Sequence, residues 1–208
     1  MFFGVVVAGA NKSPQIDLFL FTGFAVLGVM GPGLFGFGVF VALEREQGLL
    51  TLKRALPMPP AAYLLAKMLM ATLLSAMVTL ILVVAGIAAG KVTLTGSQVL
   101  ALASIVIAGA LPFCAMGLFV GSWAAGRSAP AFVNLLYLPM IYLSGFLIPL
   151  PKRIEAIQLV SPAYHLDRLA LWAAGAPGGS AAIVHAAVLA GVTALFGALA
   201  LGRLARSS

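Results

Sequence analysis

Long runs of apolar residues alternate along this chain with short charged stretches. The uncharged run between Asp17 and Glu44 holds 26 residues, and about 20 apolar residues are enough for a helix to cross the hydrocarbon core of a bilayer. Similar runs follow, so the pattern predicts five membrane-spanning helices, over residues 18–43, 68–90, 99–126, 130–150 and 181–202. The expected fold is an all-α integral membrane protein that forms one transmembrane domain over residues 1–208.

Glycine and proline shape two of these predicted spans. The first contains six glycines and is interrupted by Pro32. Small residues let transmembrane helices approach closely, so we expect this helix to pack against other helices and to kink near its proline. In the third span, Pro112 predicts a second kink.

The first charged stretch, residues 44–67, predicts a short amphipathic helix from Glu44 to Leu56. At about 100 degrees per residue most of its apolar residues share one face and most of its polar residues the other, with Leu50 out of place. The apolar face comprises Leu49, Leu52, Ala55 and Leu56, and the polar face comprises Glu46, Gln47, Lys53 and Arg54. Pro57 and the two prolines after it stop the helix, because proline lacks an N–H and disfavours a helical residue before it. Periodicity alone leaves open whether the apolar face meets lipid headgroups or a protein partner.

The second charged stretch, residues 152–168, is too polar to span. Its apolar positions predict a short interfacial or re-entrant helix that ends before Pro162. Trp172 suits the headgroup level.

Composition supports a membrane protein and argues against other classes. The chain is 62% hydrophobic and only 8% charged, whereas about a quarter of the residues in soluble domains are charged. The net charge of +7 is scattered between apolar runs, which does not indicate a nucleic-acid partner but suits topology signals and contacts with lipid headgroups. Cys114 is the only cysteine, so no intrachain disulfide can form.

Basic residues also indicate the orientation. Alternating spans place seven of them on the side of the first charged stretch and five on the other. The positive-inside rule therefore predicts a cytoplasmic first charged stretch, an external N-terminus and a cytoplasmic C-terminus.

Catalytic motifs are missing from the sequence. It contains no HExxH, CxxC, GxxxxGK[ST] or GxSxG pattern. His165 and His185 are the only histidines, twenty residues apart, and we interpret them as packing residues rather than a proton relay. We expect no catalytic residue, cofactor or metal site.

These features resemble the ABC-2 family of ATP-binding-cassette transporter permeases. The first set of matching residues lies in the first charged stretch, namely Glu44, Arg45, Gly48, Leu52, Leu56, Pro57 and Ala66-Lys67. The second set matches the family's C-terminal signature and comprises Ser144, Gly145, Pro149, Ser161, Pro162, Tyr164 and His165.

The resemblance implies a half-size exporter subunit in the cytoplasmic membrane. In the family the first stretch is the coupling helix, which docks on a separate ATPase subunit. The residues expected to serve this docking are Glu44, Arg45, Gly48, Leu52, Lys53, Arg54, Leu56 and Pro57, with the glycine allowing close approach. The external helix or gate is expected at Ser144, Gly145, Pro149, Pro162 and Tyr164. Other implied partners are a second permease copy or paralogue and membrane lipid, and the implied substrate is a drug, a lipid or a similar amphipathic molecule.

This sequence departs from the family pattern in two places. Residues 1–10 resemble only the outer end of a first span, and Pro149 and Pro151 lie close together, which shortens the external loop. Three alternatives stay open: a non-transporting membrane scaffold or anchor, a haem-exporter-like permease, and an ion-coupled carrier or channel, against which the lack of mid-span acids counts.

Overall fold

A computed structural model describes residues 14–49, 60–90, 92–145, 155–176 and 182–206. The predicted remnant of a first span, over residues 1–10, lies outside these ranges. So do residues 50–59 of the first charged stretch, Pro149 and the start of the second charged stretch. The described helices are α1 Pro14–Glu46, α2 Pro60–Ala88, α3 Gly96–Ala108, α4 Ala110–Trp123, α5 Ala129–Ser144, a 3-10 helix Glu155–Val160, α6 Pro162–Ala173 and α7 Ala182–Arg206. The described residues contain no strand, so the all-α prediction is confirmed.

Within the described ranges, four helical stretches are long and apolar enough to cross a membrane: Gln15–Glu46, Ala66–Ala88, Gly96–Trp123 and Ala182–Arg203. The remaining predicted span corresponds to α5, which has 16 residues and is therefore about 24 Å long. The chain is a multi-pass membrane protein.

The third spanning stretch is divided by Gly109 into α3 and α4. Pro112 has no N–H to donate to the carbonyl of Ala108, four residues earlier. The kink predicted from Pro112 is therefore confirmed as a helix break. A side chain at Gly109 would collide with Leu166 of α6, so the glycine lets α6 pack against the break.

Glycines hold α1 and α4 together. A Cβ added at Gly117 would lie 2.7 Å from the carbonyl oxygen of Leu34, and one added at Gly121 would lie 2.7 Å from that of Phe37. Both contacts are with backbone, which cannot turn away as a side chain can. The close packing predicted for the glycine-rich first span is therefore confirmed.

The two ends of the bundle are recognisable from contacts between helices. We call the end that holds Glu46, Lys67 and Trp123 the coupling end. We call the opposite end, where α6 approaches the start of α3, the outer end, after the orientation that the basic residues predict. There a Cβ at Gly175 would lie 2.5 Å from Nε2 of Gln98.

Helix α6 starts inside the bundle and rises to the outer end. Its Leu166 lies at the Gly109 break, and its 12 residues rise about 18 Å, too little to span the membrane. A short helix within residues 152–168 does end before Pro162, as the sequence predicts, and it is the 3-10 helix. The sequence does not predict that the chain then turns inward, so that half of this external stretch becomes the buried start of α6.

Candidate functional site

An ion pair and a helix cap tie the coupling end together. Lys67 Nζ at the start of the second span lies 3.0 Å from Glu44 Oε1 in the last turn of α1. The same ammonium lies 6.0 Å from the centroid of the Phe40 ring. The last turn of α1 and the second turn of α2 are therefore joined within the chain.

Arg45 joins the end of α1 to the end of α4. Its guanidinium donates one hydrogen bond to the carbonyl of Ser122 and another, of 2.7 Å, to the carbonyl of Ala124. Carbonyls at a helix C-terminus have no partner within the helix and carry partial negative charge, which a cation stabilises. Arg45 is predicted to contact a partner, and within the chain it already serves as the cap of α4.

Gly48 ends α1 in the left-handed conformation, with φ of 71°. Its N–H donates to the carbonyl of Arg45 at 3.1 Å, which is the geometry of a glycine helix stop. The prediction of one continuous helix from Glu44 to Leu56 is therefore wrong at its start, because Glu44 to Glu46 belong to α1 and the chain turns at Gly48.

A Cβ at Gly48 would meet nothing within 4 Å. The conformation of the turn, rather than packing within the chain, therefore requires this glycine. Its close approach to a partner stays a prediction. The same holds for docking by Leu52, Lys53, Arg54, Leu56 and Pro57, which lie outside the described residues.

The turn between α4 and α5 is packed against the end of α1. A Cβ at Gly126 would collide with Glu46 Oε2 and lie 2.8 Å from Cδ2 of Leu43. The last turn of α1 therefore contacts α4 through Arg45, and it contacts the turn between α4 and α5 through Glu46. We expect a displacement of α1 to move α4 and this turn together.

At the predicted gate, α5 ends and α6 begins. Gly145 ends α5 with φ of 77°, and the Ser144 hydroxyl donates to the carbonyl of Ile141. The Ser161 hydroxyl, next to Pro162 at the first position of α6, donates to the carbonyl of Met140 at 3.4 Å. The structure thus joins the last turns of α5 to the start of α6 through Met140 and Ser161, whereas the action of Ser144, Gly145 and Pro162 as a gate stays a prediction.

Two histidines join α6 to α7, which the sequence interpretation missed. Nδ1 of His165 lies 2.7 Å from Nδ1 of His185. The Nε2–H of His165 donates to the carbonyl of Leu159 at 2.9 Å, so in the neutral ring Nδ1 has no proton and accepts from Nδ1–H of His185. Twenty residues separate the two in the chain, and no local spacing rule could have paired them.

Tyr164, a predicted gate residue, lies beside this pair. Its ring centroid is 5.5 Å from that of His165 and 6.0 Å from that of His185, and the guanidinium carbon of Arg168 lies 5.0 Å from it. The first turns of α6 therefore concentrate aromatic and titratable groups on the side that faces α7.

Asp167 lies on a different side of α6, against α1. It is 1% exposed, and burial raises its pKa from 3.8 to about 7, a shift that the nearby hydroxyl of Thr22 and the charge of Arg168 oppose. Among the described residues, no group hydrogen-bonds to its buried Oδ1, since the Thr22 hydroxyl donates to the carbonyl of Phe19. The sequence interpretation placed this residue in the second charged stretch and gave it no structural role. In the structure it is instead a buried acid in a helix that does not span.

Comparison with known proteins bears on the identity of the chain. The family model of the ABC-2 type transporter matches residues 1–173. A relative from Bacillus subtilis (strain 168), named Putative transport permease YvfS, is 26% identical over 143 residues. The match covers 67% of this chain and 58% of that relative, so the chain spans less than two thirds of the relative's length. No solved structure matches the chain. Because the family model covers most of the sequence, the chain belongs to the ABC-2 type transporter family.

Proposed function

We propose that this chain is the membrane subunit of an exporter in the cytoplasmic membrane, driven by ATP that a separate subunit hydrolyses. It acts as a dimer with a second copy or a paralogue, and it carries no catalytic residues of its own. The cargo is a hydrophobic or amphipathic molecule such as a drug or a lipid. Membership of the ABC-2 family supports this proposal.

The observation that carries the proposal is the set of contacts at the end of α1. Residues 44–49 lead directly into the stretch expected to dock on the ATPase. Through Glu44 they are joined to α2, and through Arg45 to the C-terminus of α4. A force applied to the docking stretch therefore acts on α1, α2 and α4 together.

Contacts between helices can transmit this movement to the outer end. α1 and α4 are in backbone contact at their glycines, and α6 packs against the Gly109 break above α4. Packed interfaces move as rigid bodies rather than by continuous deformation. ATP-driven closure of the ATPase pair would thus shift α1 with α4 and change how α6 closes the outer half.

The proposal separates docking from coupling, and one experiment can test both. The full chain is co-expressed with an ATP-binding-cassette ATPase from the same gene neighbourhood and purified in detergent, and ATP hydrolysis is measured. The wild type should retain the ATPase, and the double variant Lys53→Glu, Arg54→Glu should lose it. Arg45 is among the residues that the family resemblance assigns to docking, but its guanidinium is bonded to the carbonyls of Ser122 and Ala124. We therefore assign it to coupling, and Arg45→Gln should retain the ATPase but lose the change in hydrolysis that substrate causes, because the cap of α4 is gone.

Arg203→Gln supplies the matched control, since this arginine lies at the same end of the bundle, with its guanidinium carbon 5.8 Å from the centroid of the Phe119 ring. It should bind and hydrolyse like the wild type. Failure of the wild type to retain any ATPase would overturn the exporter proposal and favour a membrane scaffold. Loss of binding in the Arg203 variant as well would show that docking depends on general positive charge.

A further inference from the structure

A groove of about 440 Å³ opens between the α3–α4 break, α6 and α7. Its walls include Ile105, Gly109, Leu169, Trp172, Ala186 and Leu189, and the only hydroxyl among its lining residues is that of Thr193. This volume lies within the range of small-molecule sites. The groove therefore suits an apolar chain and offers almost nothing to a polar ligand.

In the orientation that the positive-inside rule predicts, the groove lies in the outer half of the bilayer. The stretch Gly96–Trp123 has 28 residues and is about 42 Å long, which matches a bilayer of about 40–45 Å including headgroups. Gly109 is near the middle of that stretch, and Trp172 is near the outer end of α6. The groove thus runs from mid-depth towards the outer headgroups. Over this depth the protein is surrounded by the acyl chains of lipids.

An exposed cation stands beside the groove. Tyr164, Arg168 and Trp172 are spaced four residues apart on α6 and form one stripe, on which Arg168 and Trp172 are exposed. Trp172 belongs both to this stripe and to the groove wall. The neighbouring Asp167 faces Thr22 of α1, and of the described residues none forms an ion pair with Arg168.

An arginine at this depth needs a counter-charge. Arg168 lies seven residues before Gly175, or roughly 10 Å below the outer end, which places its Cα a few ångströms below the headgroup layer. Charged side chains at the edge of the hydrocarbon pair with a partner or reach the headgroups. A lipid phosphate can accept two parallel hydrogen bonds from a guanidinium.

We propose that this groove and Arg168 together bind an anionic phospholipid of the outer leaflet. One acyl chain lies in the groove against Leu169 and Ala186, Trp172 packs at the level of the glycerol, and the guanidinium of Arg168 pairs with the phosphate. The site is independent of the proposed export activity, since it requires neither ATP nor a docked ATPase.

Native mass spectrometry of the purified full chain tests the site directly. The protein is incubated with equal amounts of phosphatidylglycerol and phosphatidylcholine that carry the same acyl chains, and the bound lipids are counted. The wild type should prefer phosphatidylglycerol. Arg168→Gln should lower that preference about fivefold, the effect of one basic residue at an anionic membrane surface, and Arg168→Lys should keep most of it.

Filling the groove tests its apolar part. Ala186→Trp should reduce binding of both lipids, whereas Ala187→Trp should leave it unchanged, because Ala187 is equally exposed on α7 but does not line the groove. Both alanines are exposed, so neither change disturbs the core. Arg203→Gln is the control for charge and should keep the preference.

Three results would overturn the proposal. An unchanged ratio of the two bound lipids in Arg168→Gln would show that Arg168 does not contact the lipid phosphate. An equal loss of the preference in Arg203→Gln would show that the preference reflects general attraction of anionic lipid to a basic protein. If Ala186→Trp changed the oligomeric state without changing lipid binding, the groove would be a contact surface for a second copy of the chain instead of a lipid site. None of these results depends on ATPase docking, so failure here is distinguishable from failure of the exporter proposal.

Discussion

Replacing Gly117 by alanine should destabilise the protein through the contact between α1 and α4. The new methyl carbon would lie 2.7 Å from the carbonyl oxygen of Leu34, 2.8 Å from that of Gly33 and 3.1 Å from the amide nitrogen of Gly38. A carbon and a carbonyl oxygen in favourable contact are about 3.3–3.6 Å apart. Since all three neighbours are backbone atoms, the helices themselves must separate by roughly 0.6–0.9 Å.

The expected magnitude follows from two opposing effects. Overpacking of this kind costs about 1–3 kcal/mol, and replacing a helical glycine by alanine returns up to about 1 kcal/mol. Because the three neighbours are backbone atoms, the cost should lie in the upper part of that range, about 2–3 kcal/mol. The net loss should then be about 1–2 kcal/mol, which lowers the melting temperature of a chain of this size by about 2–8 °C. Gly36→Ala is the matched control, because a Cβ there meets nothing within 4 Å, and it should melt at or above the wild-type temperature.

Cys114 makes the assay simple. It is the only cysteine and is buried in α4, where its amide nitrogen would lie 3.2 Å from a Cβ at Gly33. A thiol-reactive fluorogenic dye should therefore label the protein only as this interface opens during heating in detergent. The reasoning would be refuted if Gly117→Ala melted at the wild-type temperature, or if Gly36→Ala lost as much stability as Gly117→Ala.

Two further predictions concern titratable groups around α6. Because the pKa of Asp167 is raised from 3.8 to about 7 in the folded protein, the folded state holds a proton there that the unfolded state releases, so stability should fall as pH rises from about 4 to about 7. Melting temperatures measured across that window should show a smaller pH dependence in Asp167→Asn, and an unchanged dependence would contradict the burial argument. For the histidine pair, a double-mutant cycle of His165→Phe and His185→Phe should give a coupling free energy of about 0.5–1.5 kcal/mol; strictly additive losses would show that the 2.7 Å contact contributes nothing.

The sequence predicts those features of the fold that depend on neighbouring residues. Each span follows from the length of one apolar run, and the break at Gly109 follows from Pro112 because proline acts on a carbonyl only four residues away. The packing of the first span follows from its many glycines, although its partner, α4, does not. The sequence therefore predicts which surfaces pack closely, but it does not predict which helix each surface contacts.

The candidate site was harder to predict because its contacts join residues far apart in the chain. Arg45 reaches a carbonyl 79 residues later, and its charge on an amphipathic stretch is equally compatible with solvent, lipid or a partner. The helix period from Glu44 to Leu56 also obscured the role of Gly48, since glycine can be tolerated inside a helix or can end it. Only the position of α1, which extends to Glu46, decides between these two roles.

Helix α1 connects the two ends of the molecule and explains why the glycine contacts matter for more than stability. Arg45 at one end caps α4, and Thr22, 23 residues or about 35 Å away along the helix, lies against Asp167 of α6. Gly117 and its neighbours hold α4 against the middle of this rod. If a side chain at residue 117 separates α1 from α4 there, a displacement of α1 at Arg45 moves α4 less. A smaller displacement is then transmitted to α6. If the proposed export activity holds, we expect Gly117→Ala to weaken the coupling of ATP hydrolysis to substrate even at temperatures where the protein stays folded, whereas Gly36→Ala should reduce neither the coupling nor the stability.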